Sequence, residues 1–319
     1  MSLLNQIYAT PSRVKGVVQL FAYLGGQRLK RATVEDLLSP TTLAANRGGD
    51  RLMVAAVIDE CIDLRLIVES VDRGGESETI PEDEVPRAER RNRKELYLSL
   101  APELRDEFST LDAVAAHLPG LVLERVLRPD GDQELAYALA WYLAQDVLGA
   151  PGTWTTFGAS LAETGMNEVL RFNDNKYQML SYWAPYLGLA NTYSIVSANA
   201  GADDERMAPD PTSCLRRVLT SVLPANGQQM RLNDCMNAVG QRCPIFEGGS
   251  IRSAIDDLGS PRATRHLSST TSHALLRLVD EKVIELELRS DADGLILTEG
   301  TTTRAFSEIG WSQAGAHSS

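Results

Sequence analysis

The chain has 319 residues, 43% of them hydrophobic and 23% charged, with a formal net charge of −12. That length supports roughly two or three buried cores, and the composition excludes wholesale disorder. The acid excess argues against a protein whose whole surface coats nucleic acid, because that affinity comes largely from neutralised phosphates. A local basic patch stays compatible with DNA, and protein partners gain weight. Cys61, Cys214, Cys235 and Cys243 are too scattered for a disulfide framework or a zinc ligand set, so they read as reduced thiols. No apolar run reaches the about 18 residues of a membrane span. Arg13 and Lys15 interrupt the N-terminus as a leader. A cytoplasmic protein with no membrane partner is expected.

In chain order, Thr10-Pro11 opens a helix whose Val14, Val17, Val18, Phe21 and Leu24 mark one buried face. Gly25-Gly26 ends it. Thr33 and Asp36 make an acidic variant of a capping box for a short helix, Val34–Leu38. A longer helix from Asp50 to Leu64 carries Met53, Val57, Cys61 and Leu64 on one side. Leu66–Ser70 reads as a strand and Glu95–Leu100 as its return, with the charged stretch Asp72–Arg93 as a loop. That order is a winged helix-turn-helix.

Residues 102–197 read as helical. Leu111, Val114 and Leu118 fit one helix, which resumes after Pro119-Gly120, and Glu134–Leu148 is predicted to be a central buried helix. Tyr182–Leu189 is aromatic-rich and reads as core packing, with a partner groove as the sharper alternative. Residues 198–211 are small, polar and proline-containing, the composition of a linker. Beyond them come helices Thr212–Leu223, Leu232–Gln241 and Ser250–Leu258. The stretch Arg262–Gly300 supplies a candidate recognition helix and a hairpin of Ile284–Arg289 with Leu295–Thr298. The expected fold is mainly α with small β-hairpins (α+β). Its domains are a winged helix at 1–101, a helical middle at 102–197, a linker at 198–211, a second winged helix at 212–302 and a tail at 303–319.

No phosphate-cradling loop, nucleophile elbow or H-E-x-x-H occurs, and His117, His266, His273 and His317 are far apart. The acidic run Glu76–Glu84 reads as a solvated loop, not a metal site. The expectation is a non-enzyme without cofactor or metal. Winged helices that read DNA need cations where helix and wing meet phosphates. Arg47 and Arg51 start the third helix, and Arg87, Arg90, Arg91, Arg93 and Lys94 form a basic run on the wing's return. In the second module Arg262 and Arg265 precede the recognition helix, which carries His273 and Arg277, with Thr270, Thr271 and Ser272 as further phosphate donors. Against these stand Asp59, Glu60 and Asp63 on the first third helix, and Asp280, Glu281, Glu285, Glu287, Asp291 and Asp293 in the second module. The expected partners are other proteins of a multi-subunit system, with double-stranded DNA second; a homodimer is compatible with the sequence.

The opening MSLLNQIYATPSRV, the aromatic segment Tyr182–Leu189 running into YLGLA, and the overall length resemble the DpdG family. Proteins of that family accompany bacterial gene islands that place 7-deazaguanine derivatives in DNA and restrict unmodified DNA. The resemblance implies an accessory protein of a modification and restriction system, and it brings no catalytic residues. At fold level alone, the acidic paired modules are also similar to the tandem winged-helix condensin subunits of the ScpB family. A structural subunit of a condensin-like complex and a winged-helix transcription regulator are the alternative readings.

Overall fold

The computed structural model describes residues 2–40, 49–73, 76–79, 96–195, 204–225, 227–258, 265–289 and 293–312. Among the described residues the fold is mainly α with small antiparallel sheets. The chain divides into two compact units, Met1–Arg125 and Val126–Ser319.

The first unit starts with α1 (Pro11–Tyr23), whose Val14, Val17, Val18 and Phe21 are buried as the three-four spacing requires. Strand β1 (Leu29–Lys30) leads into α2 (Arg31–Leu38), and α3 (Gly49–Asp63) follows. The sheet order is β1-β4-β2-β3, with β2 (Ile67–Arg73), β3 (Glu76–Thr79) and β4 (Tyr97–Leu100). Part of the expected loop Asp72–Arg93 is therefore strand, because β2 runs on to Arg73 and pairs with β3. Helix α2 begins earlier than Thr33, and its first residue is the unit's buried cation. The Arg31 guanidinium is 2% exposed and lies 2.8 Å from Asp59, 3.0 Å from Glu35 and 3.3 Å from Glu69. It ties α2, α3 and β2 together. Helix α4 (Leu111–Val126) runs straight through Pro119, where the sequence reading breaks it.

The second unit contains two further runs of elements. Helix α5 (Gln133–Ala144) is the predicted central helix, buried at eight positions from Leu135 to Leu143. Helices α6 (Trp154–Glu163) and α7 (Asp174–Tyr186) pack on it through aromatic rings: Phe157 lies 4.9 Å from Trp141 and 5.1 Å from both Phe172 and Tyr177. The supposed linker is partly a strand, since β5 (Ala190–Ile195) and β6 (Asp204–Pro209) pair along their full length. Next come α8 (Thr212–Val222), β7 (Met230–Arg231), α9 (Leu232–Arg242), α10 (Ser250–Leu258) and α11 (Ser269–Asp280).

The C-terminal hairpin differs from expectation. Strand β8 (Ile284–Glu287) pairs with β11 (Glu308–Trp311), while β9 (Leu295–Glu299) pairs with β10 (Thr302–Phe306). The two-residue turn Gly300-Thr301, with Gly300 at φ 59°, closes β9 onto β10. Fully buried Ile309 opposite Leu286 gives β11 the place beside β8. Residues 302–311 are thus sheet and not tail.

One plan recurs three times among the described residues. In each run the helix that leads into the hairpin strands ends in a residue of positive φ: Arg65 (55°), Gly188 (76°) and Lys282 (58°). The next amide reaches back six residues inclusive, from Leu66 to the Cys61 carbonyl, Leu189 to Ala184 and Val283 to Leu278, at 2.8 to 2.9 Å. This is the Schellman closure of a helix. Two residues past each left-handed position a strand begins. The start of the second helix is pinned to the last strand as well. The Arg31 amide donates to the Leu96 carbonyl and the Leu232 amide to Ser307, both at 2.8 Å. In the middle run the Met207 amide donates to the Gly152 carbonyl at 3.0 Å. A Cβ at Gly152 would lie 3.0 Å from the Met207 oxygen, so the approach needs glycine. The outer sheets share one order, β1-β4-β2 and β7-β11-β8. The middle repetition is absent from the sequence reading.

Three outcomes are expected. Arg31→Ala strands three carboxylates and lowers stability by about 3 kcal/mol, read by urea denaturation. Gly188→Ala puts a Cβ at positive φ, 3.0 Å from the Ser213 Cβ, and lowers the thermal midpoint. Lys282→Gly relieves roughly 0.5 to 1 kcal/mol of strain and raises it.

Candidate nucleic-acid interface

Arg47, Arg87, Arg90, Arg91, Arg93, Lys94 and Arg262 lie outside the described residues, and so does the side chain of Arg51 in the first turn of α3. The acidic face expected on α3 is smaller than its sequence implies. Glu60 is buried and Asp59 bonds to Arg31, which leaves Asp63 exposed.

The predicted recognition helix α11 is occupied by its own chain. Thr270 donates to the Gln145 carbonyl at 2.9 Å, and the Val147 amide donates to Ser269 Oγ at 3.0 Å. Thr270, Thr271 and Ser272 are buried and not exposed phosphate donors. The Glu247 carboxylate sits at the helix start, accepting from the Ser268 amide at 3.0 Å and from Thr271 Oγ1 at 2.8 Å. A helix N-terminus favours an anion there, and Glu247 takes the position a DNA phosphate would fill. Arg252, fully buried, holds that side of the unit through Asp256 at 3.0 Å and Glu247 at 3.7 Å.

Further along α11, His273 is half-buried. Arg277 is exposed but bonds to Asp210 at 2.7 Å and Glu281 at 3.2 Å. Arg216 also bonds to Glu281, and this arginine contact holds the Glu281 carboxyl below its ordinary range. Arg265 pairs with Asp293 at 2.8 Å in an open cleft of about 650 Å³ that Arg231, Asn233 and Asp234 also line. Two arginines and two aspartates there balance. Arg265, Arg277 and Arg216 are committed to carboxylates of the same unit.

The middle run presents different chemistry. Asn173 caps α7 by accepting from the Lys176 amide at 3.0 Å, and Asn175, Gln178 and Tyr182 lie on one exposed face. Asn191, Thr192, Tyr193 and Ser194 of β5 are exposed in succession. The sequence held a signal for this face: a polar stripe at three-four spacing on α7, followed by β-branched and aromatic residues in β5. Residues 198–211, by composition a linker, hide the pairing of β5 with β6 in the sequence.

The thiols fit structural roles. Burial raises the Cys61 thiol, with Glu60 adding to the rise, and burial pushes Cys235 up to about 12. A bond between the thiols lowers Cys214 and raises Cys243. Among the described residues no group of three or more His, Cys, Asp or Glu is arranged to hold a metal. No described helix is long and apolar enough to cross a membrane.

A chain that repeats one helix-and-strand plan, with its exposed polar chemistry on helix and hairpin surfaces, is a modular α+β protein. The chain belongs to the DpdG-like family, whose model matches residues 1–292. No curated protein and no solved structure gives a significant match.

Thr270→Val removes the bond to Gln145 and is expected to cost about 1 kcal/mol of stability. It should leave affinity for duplex DNA unchanged; a loss of affinity at unchanged stability would mean that the hydroxyl meets phosphate.

Proposed function

We propose that this protein is a non-catalytic accessory component of a bacterial DNA modification and restriction system. In this reading it is built from winged-helix modules and binds partner proteins and duplex DNA. The family match over residues 1–292 carries the reading, because the DpdG family accompanies 7-deazaguanine modification of DNA. The fold supports it: helix, short strand, further helices and then antiparallel strands is an order compatible with a winged helix-turn-helix, and the sheets β1-β4-β2 and β7-β11-β8 share one strand order. In the first module Arg47, Arg51 and the run Arg87, Arg90, Arg91, Arg93 and Lys94 supply the phosphate contacts. The second module, with Arg265, His273 and Arg277 engaged or half-buried and Glu285 and Glu287 exposed on its strand, faces protein. Its partners are other proteins of the same system.

Titration of a labelled 30-base-pair duplex with the full chain at stepped salt tests the DNA part. Five phosphate contacts give a log–log slope near about −4.5, and Arg90, Arg91 and Arg93 changed together to Ala flatten it by about 3. No binding at low salt, or an unchanged slope in the triple variant, would contradict the DNA reading. Co-purification with proteins encoded beside it tests the partner role; elution as a lone chain would count against it.

A further inference from the structure

We infer that the middle run of unit two carries a duplex-reading face of its own, made by the exposed side of α7 and by strand β5. The inference rests on the DNA-binding reading above and moves the contact in this unit from α11 to α7. Of the two helices in unit two that lead into hairpin strands, α7 has the more open first turns. Asp174, Asn175 and Gln178 are exposed, and Tyr182 is 44% exposed. In α11 Ser269 and Thr270 of the first turn bond to Val147 and Gln145, and Glu247 caps the helix start.

The chemistry suits base edges and phosphates. Asn175 and Gln178 are the side chains that pair bidentately with adenine in the major groove. The Asn175 amide makes no hydrogen bond among the described residues, and Gln178 donates only to Tyr182 of the same face, at 3.1 Å. Arg171 leads into α7, its carbonyl accepting from Lys176 Nζ at 3.0 Å. Its own guanidinium is exposed and makes no ion pair among the described residues. It stands where the backbone would pass a helix entering a groove, and a free arginine there takes a phosphate. In contrast, the Lys176 charge is taken up by Glu134.

Strand β5 follows α7 as a wing does. Thr192, Tyr193 and Ser194 offer hydrogen-bonding groups, while the Asn191 amide is taken up by Asp210 at 2.5 Å. On α7 itself Asp174 is the one exposed acid among the described residues, and the next is Glu205, on the strand paired with β5 opposite Ser194. A duplex therefore meets few carboxylates along the helix.

The test uses the full chain and a pool of random 20-base-pair duplexes, with affinity and sequence preference both read. Arg171→Ala should weaken binding to every duplex and flatten the salt slope by about 1. Asn175→Ala with Gln178→Ala should cut the preference for the best duplex over the average by about tenfold. All three positions are exposed, so circular dichroism should match the wild type. Binding by the wild type that neither variant alters, while the first-module arginine variant weakens it, would overturn this face alone. Absence of wild-type binding at low salt would overturn it together with the DNA reading.

Discussion

The left-handed residue that closes the helix before each hairpin sets the geometry of the rest. An α-helix leaves its last carbonyls unpaired, and the cheapest closure is a residue of positive φ that turns the following amides back onto them. Arg65, Gly188 and Lys282 do this with the same hydrogen bonds. The chain then leaves the helix in one direction and starts a strand two residues later. That exit decides where the hairpin lies relative to the helix, and so which helix face and strand form one surface. Glycine adopts the conformation freely only at 188; at Arg65 and Lys282 the closure is held against a steric cost of roughly 1 kcal/mol each.

Buried charge then separates the runs. In the first unit Arg31 gathers Glu35, Asp59 and Glu69, removing a carboxylate from the surface of α3. In the second unit Glu247 neutralises the start of α11, and the chain around Gln145–Val147 covers that helix's first turn. The same helix plan is thus closed to a groove in one copy and open in another. Asn175, Gln178 and Arg171 remain exposed while α7 is capped by Asn173 and packs its Tyr177 on Phe157.

Much of this fold was legible in the sequence. The helices α1, α3, α8 and α10 follow from apolar spacing and sit within a residue or two of expectation, and the burial of α5 follows from its unbroken apolar run. The C-terminal strand pairing was not legible, because Leu295–Thr298 alternates as well for one partner as for another, and burial of Ile309 decides it. The middle repetition was hidden because its first strand shrinks to the Gly152 carbonyl and its hairpin encloses small, polar residues. At the candidate interface, spacing could count the cations but not their counter-ions. Arg277 and Arg265 read as free and are each paired with an aspartate more than twenty residues away.

Hydrogen–deuterium exchange of the full chain, with and without a saturating duplex, tests the central claim most directly. Amides respond locally, so the three runs can be told apart in one experiment. The account predicts slower exchange in peptides covering residues 171–182 and 190–195, with 269–280 unchanged. Protection of 269–280 with 171–182 unaltered would contradict it.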